Sequence, residues 1–231
     1  MKESPEGLKI KKVPLTNIRR VIRDKMIESS KVPQFCLEME IRMDKILSSR
    51  NEIKPKPSIT SYLIWAVAKA LEEKPDLNAF FYREEIGYAS EINIGVAVAI
   101  PGGLLVPVIR EANKKKVREI HNKLSEFLEK IKNKKLSPDN LEGGTFTISN
   151  LGMYKIKGFI PLLNTPQIAI LGVGSIDQGV DYLKGKITPY SYIQVALVAD
   201  HRALDGATAA DFLLTFKRIC EEELNKGAFN D

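Results

Sequence analysis

The sequence predicts an α+β domain in which a mixed β-sheet is packed with helices. Two observations carry that expectation. Helix-period and strand-period segments are interspersed without a regular βαβα rhythm. The 231 residues, 44% of them hydrophobic, also suffice for one sizeable core that needs no disulfides.

The elements follow in order. Residues 1–12 are polar and basic and read as a flexible tail or linker remnant, which leaves 13–231 as the folded domain. Thr16 or Asn17 caps a helix running to about Ser30, with Ile18, Val21, Ile22 and Met26 on its buried face, and Pro33 ends it. Alternation of Phe35, Leu37, Met39 and Ile41 predicts a half-buried strand over 34–43. A short helix at 44–53 and a KPKP turn come next. Ser58 or Thr60 then starts a strongly apolar helix, SYLIWAVAKALEE, stopped before Pro75. Strands are expected at 79–82, 86–89 and 92–100, and a Pro-Gly-Gly turn leads to another at 104–109. After a lysine-rich helix, further strands are expected at 145–149, 168–176 and 190–199, with a last helix over 206–225.

The net charge of +6, from 35 basic and 29 acidic side chains, is concentrated in REANKKKVREIHNKLSEFLEKIKNKK at 110–135. There Val117, Ile120, Leu124, Phe127, Leu128 and Ile131 fall on one helix face, so the lysines occupy a solvated one. Glu119 with Lys123 and Glu126 with Lys130 are spaced as helical ion pairs. No aromatic interleaving accompanies the charge, which argues against a nucleic-acid partner. Apolar runs fall well short of the ~20 residues that cross a bilayer, and MKESPEGLKIKK lacks the apolar core of a secretory signal. Cys36 and Cys220 are too few for a disulfide framework or a zinc cluster. A cytoplasmic protein with no membrane partner is expected. Only His121 and His201 could shuttle a proton near neutral pH.

The chemistry concentrates at YSYIQVALVADHRALDGATAADFLLTF. An apolar strand ends at Asp200, a turn holds His201, Arg202 and Asp205, and Gly206 opens a helix that Asp205 can cap. A histidine fixed at a strand end suits a general base; a polar turn that serves capping alone is the alternative. His121, on the lysine-rich helix near solvent, has no evident partner. No His or Cys completes a metal shell around His201 and Asp205, so no metal is expected. Neither a G-x-S-x-G elbow nor a G-x-x-x-x-G-K-[ST] loop is present. Leu171-Gly172-Val173-Gly174 reads as close strand packing.

ADHRALDGA, GGTFTISNLG (143–152) and NTPQIAILGVG (164–174), with RRVIRDKMIESSKVPQF, AVAKALEEKPDLNA and NIGVAVAIPGGLLVPVI in order, resemble one family. It is the catalytic core of the dihydrolipoamide acyltransferases of 2-oxoacid dehydrogenase complexes. The resemblance covers about residues 14–224. It implies a chloramphenicol acetyltransferase-like fold and a homotrimer with its active site at the subunit boundary, assembled into a larger hollow core. The activity it implies is transfer of an acyl group between the thiols of dihydrolipoamide and coenzyme A. A thiol with a pKa of about 8.5 is mostly protonated at neutral pH, so a base must take its proton during attack. His201 matches the family's base. Ser149, 52 residues upstream, matches its hydroxyl donor to the thioester oxyanion. Asp205 matches the carboxylate that orders the active-site loop, with an arginine such as Arg19. Arg50, Ser58 and Asn150 match coenzyme A contacts. Implied partners are 2-oxoacid dehydrogenase and dihydrolipoamide dehydrogenase subunits and a lipoyl domain.

The chain departs from the pattern in places. Gln34 stands where many relatives have histidine, and Ala99 where some branches have an aspartate that contacts coenzyme A. No lipoyl module precedes the core: either Met1 opens a shortened or naturally single-domain form, or the lipoyl group arrives on another chain. The end, NKGAFND, offers only Phe229 for an apolar contact between trimers. An acyltransferase using coenzyme A with a different small-molecule acceptor, and a non-catalytic scaffold core, are the alternatives.

Overall fold

A computed structural model describes residue 8, residues 10–183 and residues 185–223. Most of the expected tail, the end of the last predicted helix at Asn225, and Phe229 lie outside the described residues.

The order of elements is α1 (Asn17–Ser29), β1 (Gln34–Arg42), α2 (Asp44–Glu52), α3 (Ile59–Glu73), β2 (Ala79–Tyr82), β3 (Glu85–Tyr88), β4 (Ile94–Ile100), β5 (Gly103–Leu105), β6 (Val108–Ile109), α4 (Val117–Lys132), β7 (Phe146–Asn150), β8 (Ala169–Leu183), β9 (Lys186–Asp200) and α5 (Gly206–Arg218). A seven-stranded sheet runs β1-β9-β8-β7-β4-β5, with β6 also paired to β4; β2 and β3 form a separate hairpin. β4–β7 and β7–β8 are parallel and the other pairs antiparallel, so the sheet is mixed as expected.

α3 explains why α4 and α5 gather around it on one side of the sheet. Tyr62 to Ala68 are all buried, as a helix apolar around its circumference must be. It packs among α4, α5 and the helix-facing sheet residues Ile94, Phe146, Ile148, Leu171, Val195 and Leu197. Phe146 and Phe212 meet there with ring centroids 5.8 Å apart. Each such large side chain contributes about 1.5–3 kcal/mol by leaving water. The opposite sheet face is covered by chain segments, Leu163 resting on Ile170 and Val198. A Cβ on Gly172 would meet Pro161 Cδ at 2.8 Å, and one on Gly174 the Lys157 carbonyl oxygen at 1.8 Å, so these glycines do serve close packing.

Several expectations are corrected. The face of α1 is not buried within one chain: Ile18 is 42% and Val21 62% exposed, although Ile18 and Ile22 approach Gly103. The predicted strand 104–109 is two short strands, since Pro107 lacks the N–H a continuous ladder needs. β8 and β9 continue as a two-stranded ribbon to 183 and 186, well beyond the predicted 168–176 and 190–199. α5 stops at Arg218 and passes into a π-helical turn, Ile219–Glu223. On α4, Val117, Ile120, Leu124 and Phe127 are buried but Leu128 is 46% exposed. Glu126 pairs with both Lys130 and Lys123, whereas Glu119 accepts the Lys116 N–H at 2.8 Å instead of pairing with Lys123.

Candidate active site

β1 and β9 pair from Gln34 opposite Asp200, so both strands end at the same edge. Immediately beyond, the His201 N–H donates to the Pro33 carbonyl at 2.8 Å, and its ring lies against Phe35 with centroids 4.6 Å apart. The imidazole is exposed while its backbone is pinned. The flanking residues clamp the turn. Asp200, 2% exposed, accepts Arg202 Nε at 2.9 Å, Nη2 at 2.6 Å and the Arg202 N–H at 3.0 Å. A buried carboxylate needs such partners, and the guanidinium in turn rests 4.1 Å above the Phe81 ring. Sequence reasoning missed this pair; an acid and a base two residues apart around a turn histidine were the available signal. Gln34 is another unread tie. Its amide nitrogen donates to the Ser29 carbonyl at 2.7 Å, and its oxygen accepts the Leu163 N–H at 3.2 Å.

Asp205 caps α5, accepting the Thr208 N–H at 2.8 Å. That backbone bond is the main reason its carboxyl is held below the ordinary carboxylate range. Among the described residues of one chain no ion pair joins Asp205 to Arg19; the backbone N–H of Arg19 donates to Thr16 Oγ1 in the cap of α1. Asp205→Ala is therefore expected to lower Tm at neutral pH, and Asp205→Asn, an equally good cap, to leave it near wild type. A depressed carboxyl stabilises above its unfolded-state value and loses that contribution as pH falls through its folded-state value. In thermal melts from neutral to strongly acid pH, the gap between wild type and Asp205→Ala should narrow; a constant gap overturns the assignment.

Ser149 lies on β7 and does not meet His201 in one chain. It is level with Gly172 of β8, which is level with Ala196 of β9. Two strand spacings and five residues therefore separate the pair, roughly 10 Å across the sheet and roughly 16 Å along it. A base and an oxyanion donor acting on one thioester must lie within about 8 Å of each other, since each sits ~3 Å from its target atom. Neither side chain spans the difference. Within one chain the two side chains therefore lie too far apart to act on the same thioester.

The coenzyme A candidates do converge, around the start of α3. Ser58 is its N-cap and accepts the Ser61 N–H at 3.2 Å. Arg50, from α2, donates Nε to the Pro57 carbonyl at 2.7 Å. Asn150 projects to the helix side of the sheet, away from Ser149, where it donates to Thr60 Oγ1 at 3.1 Å and accepts the Gly152 N–H at 2.8 Å. Beside it opens a cavity of about 400 Å³ lined by Ile59, Thr60, Asn150, Met153, Lys155 and Ile176, among others. A helix start and a guanidinium favour a phosphate-bearing ligand. His121 is corrected from an unpartnered surface residue: its Nδ1 accepts the Ser58 N–H at 3.3 Å. Among the described residues there is no group of three or more His, Cys, Asp or Glu placed to hold a metal.

A family model described as 2-oxoacid dehydrogenases acyltransferase (catalytic domain) matches residues 8–226. The dihydrolipoyllysine-residue acetyltransferase component of the pyruvate dehydrogenase complex of Rickettsia prowazekii is 41% identical over 218 residues, 90% of this chain and 53% of the relative. The chain thus spans about half the length of the curated relatives it matches. The dihydrolipoamide acetyltransferase of Azotobacter vinelandii has a similar structure, with a TM-score of 0.87 at 29% identity, covering 94% of this chain and 93% of that one. Its crystallographic and enzymatic investigation concerned a serine, a histidine and an asparagine in the catalytic mechanism. There the histidine follows the serine by 52 residues and the asparagine follows the histidine by four, the intervals that separate Ser149, His201 and Asp205. Chloramphenicol acetyltransferase, 12% identical with a TM-score of 0.54 over 86% of this chain and 94% of its own, shares the fold, as expected.

Proposed function

Since the chain belongs to the family of 2-oxoacid dehydrogenase acyltransferase catalytic domains, we propose that it transfers an acyl group between the thiols of dihydrolipoamide and coenzyme A. The observation that carries this is the clamped turn, which presents His201 exposed at a rigid strand end. In the proposed step His201 takes the proton from the attacking thiol, and the thiol sulfur adds to the thioester carbonyl. Ser149 donates its hydroxyl to the oxyanion that forms. The second thiolate then leaves and recovers the proton. Asp205 acts by capping α5 and so fixing the far side of the turn. An amide in place of the carboxylate would do the same, which fits the asparagine of the Azotobacter protein. Arg50, Ser58 and Asn150 hold coenzyme A around the start of α3.

The separation of Ser149 from His201 calls for a second copy of the chain, so that the histidine edge of one protomer meets the serine strand of the next. Such a head-to-tail contact forms a ring when its rotation closes. We take the ring to be the homotrimer that the resemblance implies, with residues 13–231 as the protomer's acyltransferase domain, assembled further into a hollow core. The exposed apolar face of α1, with Ile18 and Val21, supports burial against a neighbour. The surrounding complex would supply 2-oxoacid dehydrogenase and dihydrolipoamide dehydrogenase subunits and a lipoyl domain, in the cytoplasm. Among the described residues no helix is long and apolar enough to cross a membrane.

The test is direct. Purified protein supplied with acetyl-CoA and free dihydrolipoamide should form acetyl-dihydrolipoamide, with little transfer to small amines or alcohols. Preference for an amine or hydroxyl acceptor overturns the proposal in favour of a different acyltransferase, and no transfer to any acceptor favours a scaffold.

A further inference from the structure

We propose that His121 is a positioning residue for coenzyme A, holding through its Nδ1 the segment that carries Arg50's anchor and Ser58. The inference rests on the reading of Arg50 and Ser58 as coenzyme A contacts.

The segment between α2 and α3, Ile53-Lys54-Pro55-Lys56-Pro57-Ser58, has two prolines and so lacks two backbone donors that could tie it down. Side chains from two helices hold it instead. Arg50 Nε donates to the Pro57 carbonyl at 2.7 Å, Arg118 Nη2 to the Lys54 carbonyl at 3.5 Å, and His121 Nδ1 accepts the Ser58 N–H at 3.3 Å. The last of these has a specific logic. In a capping box the N–H of the N-cap residue is accepted by a Glu or Gln side chain three residues on. α4 does this with Glu119, which accepts the Lys116 N–H at 2.8 Å. α3 has no acidic residue in its first turn. Its third residue, Ser61, places its hydroxyl 2.6 Å from Ser58 Oγ rather than on the Ser58 N–H. His121 reaches across from α4 and supplies the missing acceptor.

An uncharged acceptor suits this place. A carboxylate at the start of α3 would satisfy the N–H but would also neutralise the positive end of the helix and repel a polyanion. The imidazole accepts through Nδ1 in the tautomer with its proton on Nε2, so the segment is fixed and the positive end, with Arg50 beside it, is left for phosphate.

Two variants separate this role from generic stability. His121→Leu keeps the bulk and removes the acceptor; His121→Asn places an amide oxygen where Nδ1 stood. In His121→Leu the KM for acetyl-CoA is expected to rise about three- to tenfold, as for one lost hydrogen bond, with kcat and the KM for dihydrolipoamide unchanged. His121→Asn should return the value to near wild type. In the ligand-free protein, hydrogen exchange at the Ser58 amide should quicken in His121→Leu and not in His121→Asn. An unchanged KM for acetyl-CoA in His121→Leu, equal loss in both variants, or unaltered Ser58 exchange overturns the inference. Wild-type protein that binds no coenzyme A overturns instead the functional reading on which it rests, and the exchange measurement still decides whether the lock exists.

Discussion

His201→Ala should lower kcat for acyl transfer between acetyl-CoA and dihydrolipoamide by about 10²–10⁴-fold, the range of a lost general base. The geometry makes this a clean experiment. His201 is tied to the scaffold by its backbone N–H on Pro33, which alanine keeps. The turn around it is held by the Asp200–Arg202 pair and by the Asp205 cap, whose hydrogen bonds do not involve the imidazole. Among the described residues the side chain gives up its contact with Phe35 and a minor electrostatic pull on Asp205, so Tm should change little. The KM for acetyl-CoA should also stay close to wild type, because the proposed coenzyme A contacts cluster around the start of α3. The limb of the pH–rate profile that reports the base should vanish with the side chain. Rates measured in steady state beside thermal melts check both halves. A variant that melts like wild type and retains most of its activity removes His201 from the mechanism.

What could be read in advance follows from where the physics is local. The pattern of α3 was legible because one run of apolar residues suffices to demand burial on every side. The turn at His201 was legible because strand end, cap and helix start lie within a few residues of one another. The ribbon of β8 and β9 was not. Val180, Tyr182 and Ile187 stay 68%, 75% and 71% exposed, so nothing in the chain's own core imposes alternation on that stretch. Its pairing is held by contacts between residues distant in sequence, such as Arg42 Cζ 4.2 Å over the Tyr190 ring and the bridge from Arg42 to Asp181. Gly179 is explained the same way: a Cβ there would meet the Tyr190 ring at 2.5 Å, a clash visible only once the register is known. His121 failed for a related reason. Its partner is a backbone N–H 63 positions away, and a backbone donor leaves no mark in the sequence. Periodicity reports burial; it is silent about ties between elements.

The same limit bears on Ser149 and His201, whose motifs give roles but not which chain each serves. Ser149→Ala alone is expected to cost about 10²–10³-fold in kcat, as for one lost oxyanion donor. The stronger prediction comes from mixing. Ser149→Ala and His201→Ala chains, each nearly inactive, should regain activity when unfolded together and refolded as mixed assemblies. If every site takes its histidine from one protomer and its serine from the next, random equal mixing leaves about a quarter of the sites with both native side chains. If both residues of a site came from one chain, no mixture could contain an intact site and activity would stay at the sum of the parents. The register favours the first outcome: Ser149 is level with Ala196, five residues short of His201 and two strands away. Recovery toward a quarter of wild-type activity would also require the protomers to sit in a ring in solution, which sedimentation of the mixture can check independently. Parental activity from mixed assemblies that sediment as wild type would instead place Ser149 and His201 in one site on the same chain.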